Sequence, residues 1–152
     1  MTKVLVFDMD GTLADFYGVA GWLDYLENSD ATPYIVAEPL YDMAEFNALL
    51  LDFKAAGWKI VVTSWLAKNS SRAYDKKVRA AKREWLAKYN VPVDEIHLVR
   101  YGATKADSTR NLGGFQILVD DNAQVRAGWR LGGTVDATQD IMTQLREILA
   151  AA

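Results

Sequence analysis

Short apolar runs separated by segments of helical period constrain this chain most. Val4-Leu5-Val6-Phe7, Lys59-Ile60-Val61-Val62, Ile96-His97-Leu98-Val99 and Phe115-Gln116-Ile117-Leu118-Val119 each read as a strand with few polar interruptions. Strands of that kind are buried on both faces, and helices between them carry the chain back to start the next in parallel. A fifth, weaker strand fits Gly133-Thr134-Val135. The intervening segments have helical spacing. From Tyr41 to Ala56, Phe46, Leu49, Leu50 and Phe53 form one stripe, and Gly57 stands at the C-terminal cap. From Arg72 to Tyr89 the stripe is Tyr74, Val78, Ala81, Trp85 and Tyr89, and Asn90 is placed to end the helix in a left-handed conformation. A short helix begins near Lys105 and closes at Gly113-Gly114. Two more fit Ala123 to Leu131 and Thr138 to Ala150, with Thr138 as N-cap. The expected fold is therefore α/β, a doubly wound, Rossmann-like parallel sheet with right-handed crossovers. Ligands of such folds bind at the carboxyl ends of the strands.

Composition narrows the chemistry. With 152 residues, 51% of them hydrophobic, the chain is expected to form a single domain, residues 1–152, with one filled core. No apolar run approaches the roughly 18–20 residues of a membrane span. Only a four-residue apolar strand comes after the first lysine, which does not fit a secretory leader; the expectation is a soluble, cytoplasmic protein. There is no cysteine and only one histidine, His97, which excludes disulfides, thiolate metal sites and multi-histidine metal sites. His97 lies inside a strand pattern and is read as structural.

Each of the first four strands leads into polar residues. Asp8-Met9-Asp10-Gly11-Thr12-Leu13 comes after the first, Thr63-Ser64 after the second, Arg100 and Lys105 after the third, and Asp120-Asp121-Asn122 after the fourth. Acids gathered on one rim repel each other and need a cation. With oxygen ligands alone, Mg²⁺ is the expected ion. Such a clamp, with a lysine and hydroxyls beside it, suits phosphoryl transfer. Of Asp8 and Asp10, one is placed to attack phosphorus and the other to handle protons at the leaving group. Gly11 lets the chain turn sharply away from the strand.

Asp8-Met9-Asp10-Gly11-Thr12 resembles the signature of the haloacid dehalogenase superfamily of phosphohydrolases. Thr63, Lys105 and Asp120-Asp121 arrive in that superfamily's order, over nearly the whole chain. A finer resemblance, to 5′(3′)-deoxyribonucleotidases and the 3′-phosphatase domain of phage-type polynucleotide kinase/phosphatases, rests on four stretches. These are Thr63-Ser64, Tyr74-Asp75-Lys76 leading through Trp85, Arg100 with Thr104-Lys105-Ala106-Asp107, and Asp120 to Val125 with Trp129-Arg130 beyond. The resemblance implies that Asp8 is a nucleophile forming an aspartyl-phosphate. It implies that Asp10 is the acid that protonates the leaving oxygen and then the base that activates water. Mg²⁺ would be held by Asp8, the backbone carbonyl of Asp10 and the Asp120-Asp121 pair, of which either acid is open as the direct ligand. Thr63 would bind the phosphoryl group with Ser64 assisting. Lys105 would steady nucleophile and phosphate, with Lys76 a rival for part of that role and Arg100 a further substrate contact.

Two departures from the nucleotidase pattern stand out. Only residues 15–41 separate the first motif from the first long helix, a short cap-like insert where those relatives carry a substantial helical cap. Trp65 comes after Thr63-Ser64 where they often have proline. The insert carries Phe16, Tyr17, Trp22, Tyr25, Tyr34 and Tyr41, read as a local mini-core, or with Phe16 and Tyr17 as base-stacking platforms. The segment from Lys68 to Lys88 sums to +6 within a chain of net charge −3. It is read as a solvated helix face, or as an electrostatic guide for a nucleotide or nucleic-acid end. The expected partner is a small phosphorylated substrate of that class, with no membrane and an open oligomeric state. The rival functions are a phosphotransferase or mutase on the same scaffold, a receiver-like signalling domain, and a non-catalytic binding protein.

Overall fold

The computed structural model describes residues 1–151. Its five strands are β1 (Lys3–Phe7), β2 (Trp58–Trp65), β3 (Glu95–Val99), β4 (Phe115–Asp120) and β5 (Thr134–Asp136). They form one wholly parallel sheet in the order β3-β2-β1-β4-β5. The helices are α1 (Trp22–Glu27), α2 (Thr32–Val36), α3 (Met43–Ala55), α4 (Arg72–Lys88), α5 (Lys105–Thr109), α6 (Ala123–Gly128) and α7 (Ile141–Ala151). Single 3-10 turns cover Phe16–Gly18 and Arg110–Leu112. The doubly wound α/β expectation holds.

Strand alternation splits the core in two. Leu5, Phe7, Ile60, Val62, Ile117 and Val119 face α3, α7 and the end of α4, where Phe46, Phe53, Trp85 and Leu145 fill the layer. Val4, Val6, Val61 and Leu118 face the other way, onto Ala106 of α5 and Trp129 after α6. A third cluster joins the insert to α4: Phe16, Ala31 and Tyr34 pack on Leu66, Tyr74, Val78 and Ala81.

Several boundaries differ from the sequence reading, each for a local reason. β2 runs on to Trp65, because Thr63, Ser64 and Trp65 pair with His97, Leu98 and Val99 of β3. Thr63 and Ser64 thus belong to the strand. α3 starts after Asp42, whose side chain accepts from the Glu45 N–H at 3.1 Å. α6 stops at Gly128, since Trp129 turns inward and donates its indole N–H to the Gln116 carbonyl at 3.1 Å. α7 is not capped by Thr138: that residue closes a turn onto the Asp136 carboxylate, and Asp140 caps the helix by accepting from the Thr143 N–H. Asn90 has φ 56°, as expected of a left-handed helix end. No helix among the described residues is long and apolar enough to cross a membrane.

Candidate active site

β1 is the central strand, and the chain winds outward from it in both directions. The sheet register therefore fixes what meets at its carboxyl end. Phe7 is level with Val62 on one side and Val119 on the other. The next residue, Asp8, stands between Thr63 and Asp120, and its N–H donates to the Val119 carbonyl at 2.9 Å. Gly11 has φ 79°, and a β-carbon there would collide with the Asp121 carboxylate, so only glycine lets this loop lie against the acids.

One cation organises the acids. Lys105, at the start of α5 and 5% exposed, donates to Asp8 Oδ1 at 2.7 Å and Asp120 Oδ2 at 2.8 Å. Burial alone would lower its pKa, but the two carboxylates outweigh it and hold the ammonium above the ordinary lysine value. Asp8 Oδ2 also accepts from the Thr12 hydroxyl at 3.1 Å, and Asp120 Oδ1 from the Asn122 N–H at 2.9 Å. One lysine does not balance three acids. Burial, and then the charge of Asp8, pushes Asp120 up; the same two causes push Asp121 up to about 7.

The excess negative charge marks a cation site. Carboxylate oxygens of Asp8, Asp120 and Asp121 lie within 4.8 Å of one another. An all-oxygen set of this kind suits a hard divalent ion such as Mg²⁺. The residues present fit that ion.

Asp10 is engaged elsewhere. Two positions along an extended strand it would share a face with Asp8, but the chain leaves the strand after Phe7. Asp10 Oδ2 instead accepts from Lys82 of α4 at 2.9 Å. Lys82 is fully buried and also donates to Ser64 Oγ at 2.7 Å and the Trp65 carbonyl at 2.8 Å. Burial raises the Asp10 pKa, and Lys82 pulls it back.

These groups open onto a cavity of about 510 Å³ lined by Asp8, Asp10, Ser64, Lys105, Asp120 and Asp121 on its polar side. Its apolar lining includes Phe16, Tyr17, Trp22, Leu26, Tyr34 and Leu66, and Trp65, Lys68 and Tyr101 also line it. Trp65 donates its indole N–H to the Ala103 carbonyl at 2.8 Å and lies over Lys105, whose Nζ is 5.2 Å from the ring centroid. Where the nucleotidase pattern has proline, this chain has a wall that shields the lysine.

The structure thus gathers Asp8, Asp10, Ser64, Lys105, Asp120 and Asp121 around one cavity. Thr63 is buried at the same strand end, but its hydroxyl is 3.2 Å from Ser108 Oγ, on the α5 side of the sheet. Phe16 is only 3% exposed, wedged among Tyr17, Trp22 and Tyr34. Tyr17, 55% exposed, presents the open ring. Lys76 and Arg100 are exposed and do not line the cavity. Arg79 donates to the Leu98 carbonyl at 2.9 Å, and His97 meets Glu95 at 3.0 Å. The sequence reading missed Lys82, counting it with the basic face of its helix. The available signal was its place on the apolar stripe, four residues after Val78 and three before Trp85.

No protein-family model matches the chain, and no curated protein matches it. Among solved structures the architecture is similar to that of two phosphatases. The D,D-heptose 1,7-bisphosphate phosphatase of B. bronchiseptica, crystallised with magnesium and phosphate, has a TM-score of 0.60 at 13% identity, covering 99% of this chain and 100% of that one. The Burkholderia thailandensis enzyme of the same name has a TM-score of 0.50 at 17% identity, over 87% of this chain and 75% of that one. At these identities the likeness is one of fold.

Proposed function

We propose that this chain is a Mg²⁺-dependent phosphomonoester hydrolase working through an aspartyl-phosphate on Asp8. The observation that carries the reading is Lys105 clamped between Asp8 and Asp120, with Asp121 beside them, at the carboxyl edge of the central strands. That is the rim where a fold of this kind binds its ligand. The structural neighbours' names agree with this chemistry.

Asp8, Asp120, Asp121 and the Asp10 backbone carbonyl would hold the ion, which when bound offsets phosphoryl charge. Lys105 donates to Asp8 Oδ1 and keeps that carboxylate aimed. Asp8 attacks phosphorus, the bond from phosphorus to the leaving oxygen breaks, and that oxygen takes a proton from Asp10. Water then attacks the phosphoryl group and gives its proton to Asp10, which frees inorganic phosphate and the Asp8 carboxylate. Ser64 faces the cavity as a phosphoryl donor, and Thr63 supports the strand end beside Asp8. Residues 15–41 act as a reduced cap within a single domain.

For the substrate class, the aromatic wall favours a nucleotide. Tyr17 offers an exposed ring backed edge-on by Phe16 and Trp22, at centroid distances of 5.2 and 5.1 Å. That is a platform for a planar base. A nucleic-acid end would in addition have to reach the exposed Arg72, Lys76 and Arg83 of α4, outside the cavity.

The test is a phosphate-release screen with Mg²⁺ over 5′- and 3′-nucleotides, 3′-phosphorylated oligonucleotides and sugar phosphates, including heptose bisphosphates. Turnover is expected to be highest on nucleotides. Preference for sugar phosphates would remove the nucleotide assignment, and absence of turnover on every class would remove the hydrolase reading.

A further inference from the structure

Lys82 is a lysine that nothing at the protein surface explains. It is fully buried, and its ammonium has three N–H donors. All three are used, on Asp10 Oδ2, Ser64 Oγ and the Trp65 carbonyl. The Tyr34 ring closes the remaining side, its centroid 5.1 Å from Nζ. Lys82 does not line the cavity, whereas Asp10 and Ser64 both do. A lysine that binds phosphate needs free N–H groups aimed into the cavity, and Lys82 has none.

We infer that Lys82 is a positioning residue, which sets the direction of the Asp10 carboxyl and of the Ser64 hydroxyl. This inference rests on the hydrolase reading above. By donating to Oδ2, Lys82 leaves Oδ1 of Asp10 as the oxygen available to the leaving group; no protein donor among the described residues occupies it. By donating to Ser64 Oγ, it fills a lone pair of that hydroxyl and leaves the Ser64 proton free to turn toward a phosphoryl oxygen. The Trp65 carbonyl anchors the ammonium to the end of β2, so one cation ties α4, β2 and the loop after β1 into a fixed frame. Orientation of this kind governs rate more than substrate affinity.

The experiment compares wild type with Lys82→Met across phosphomonoesters whose leaving groups range from p-nitrophenol to simple alcohols. A good leaving group departs without a proton, whereas an alcohol needs one from Asp10. General acid assistance is worth about 100-fold or more. The variant is therefore expected to lose about 100-fold in kcat/KM on alkyl phosphates and a few-fold on p-nitrophenyl phosphate, since this ratio reports formation of the aspartyl-phosphate, before Asp10 acts on water. Because the chain has no cysteine, Lys82→Cys carries a unique thiol. Aminoethylating that thiol in denaturant and refolding rebuilds a lysine-like ammonium, and is expected to restore turnover of alkyl phosphates. This second route serves if Lys82→Met does not fold. A uniform loss of kcat/KM on all leaving groups, a rise in KM with kcat unchanged, or a refolded aminoethyl variant without recovered turnover overturns the positioning role while the hydrolase reading stands. A wild type that releases phosphate from none of the esters overturns both.

Discussion

At the residue scale, the site is a problem of charge. Asp8, Asp120 and Asp121 crowd one rim, and Lys105 neutralises only part of them. Asp121 shows the imbalance best, since burial and the charge of Asp8 push it up to about 7. An unfolded aspartate releases its proton near pH 4. Between about pH 4 and 7 the folded chain thus holds a proton that the unfolded chain has lost, so folding stability falls as pH rises through that window. In metal-free buffer, the Tm of wild type is expected to drop across this range more than that of Asp121→Asn, which carries no proton to lose. Parallel Tm curves for the two chains would contradict the charge account. The same scale shows where reading the sequence stopped short. Asp8 and Asp120 were legible because they stand at the ends of apolar strands, which converge, and Lys105 because it begins the helix between β3 and β4. Lys82 was not, because a lysine inside a helix is ordinarily solvated; only its buried partners Asp10 and Ser64, distant in sequence, give it a reason to be inside. Lys76 and Arg100 present the opposite case, being near motifs in sequence and outside the cavity in space.

At the element scale, the strands and long helices were largely legible, since β-branched runs and helical stripes report burial directly. The ends were less so. Thr63 and Ser64 look like turn residues, yet ladder bonds to β3 keep them in the strand. That extension matters, because strand alternation then sends Thr63 toward α5 and Ser64 toward Lys82 on α4. α3 supports the arrangement from beneath. Phe46, with no exposed surface, meets the Phe7 ring edge-on at 5.7 Å and stacks on Tyr41 at 5.3 Å. Tyr41 in turn donates its hydroxyl to the Thr12 carbonyl at 2.7 Å, in the loop that carries Asp8 and Asp10. Phe46→Ala is expected to cost about 3–5 kcal/mol of stability, by loss of burial and the cavity left behind. Urea titration reads this as a lower midpoint with an unchanged slope; a midpoint equal to wild type would show that α3 does not brace the loop.

At the scale of the whole molecule, the net charge of −3 conceals a division of labour. Four acids, Asp8, Asp10, Asp120 and Asp121, meet at the carboxyl edge of the sheet, and α4 carries seven of the 17 basic residues. Only Lys82 among those basic residues turns inward, where it joins the helix to the site. The aromatic residues of segment 15–41 serve a dual purpose: Phe16 and Tyr34 are core, and Tyr17 is left open at the cavity. The sequence pattern of that segment was legible as aromatic, but which ring is buried depends on α4 packing against it, a contact no local periodicity reports. The central claim is that this assembly makes Asp8 a nucleophile toward phosphorus. Acid quenching of turnover with a ³²P-labelled phosphomonoester in the presence of Mg²⁺ tests it most directly. The expected result is acid-stable, hydroxylamine-labile label on the wild-type chain at Asp8, and neither label nor turnover in a folded Asp8→Asn chain. Phosphate release by Asp8→Asn at the wild-type rate would contradict it.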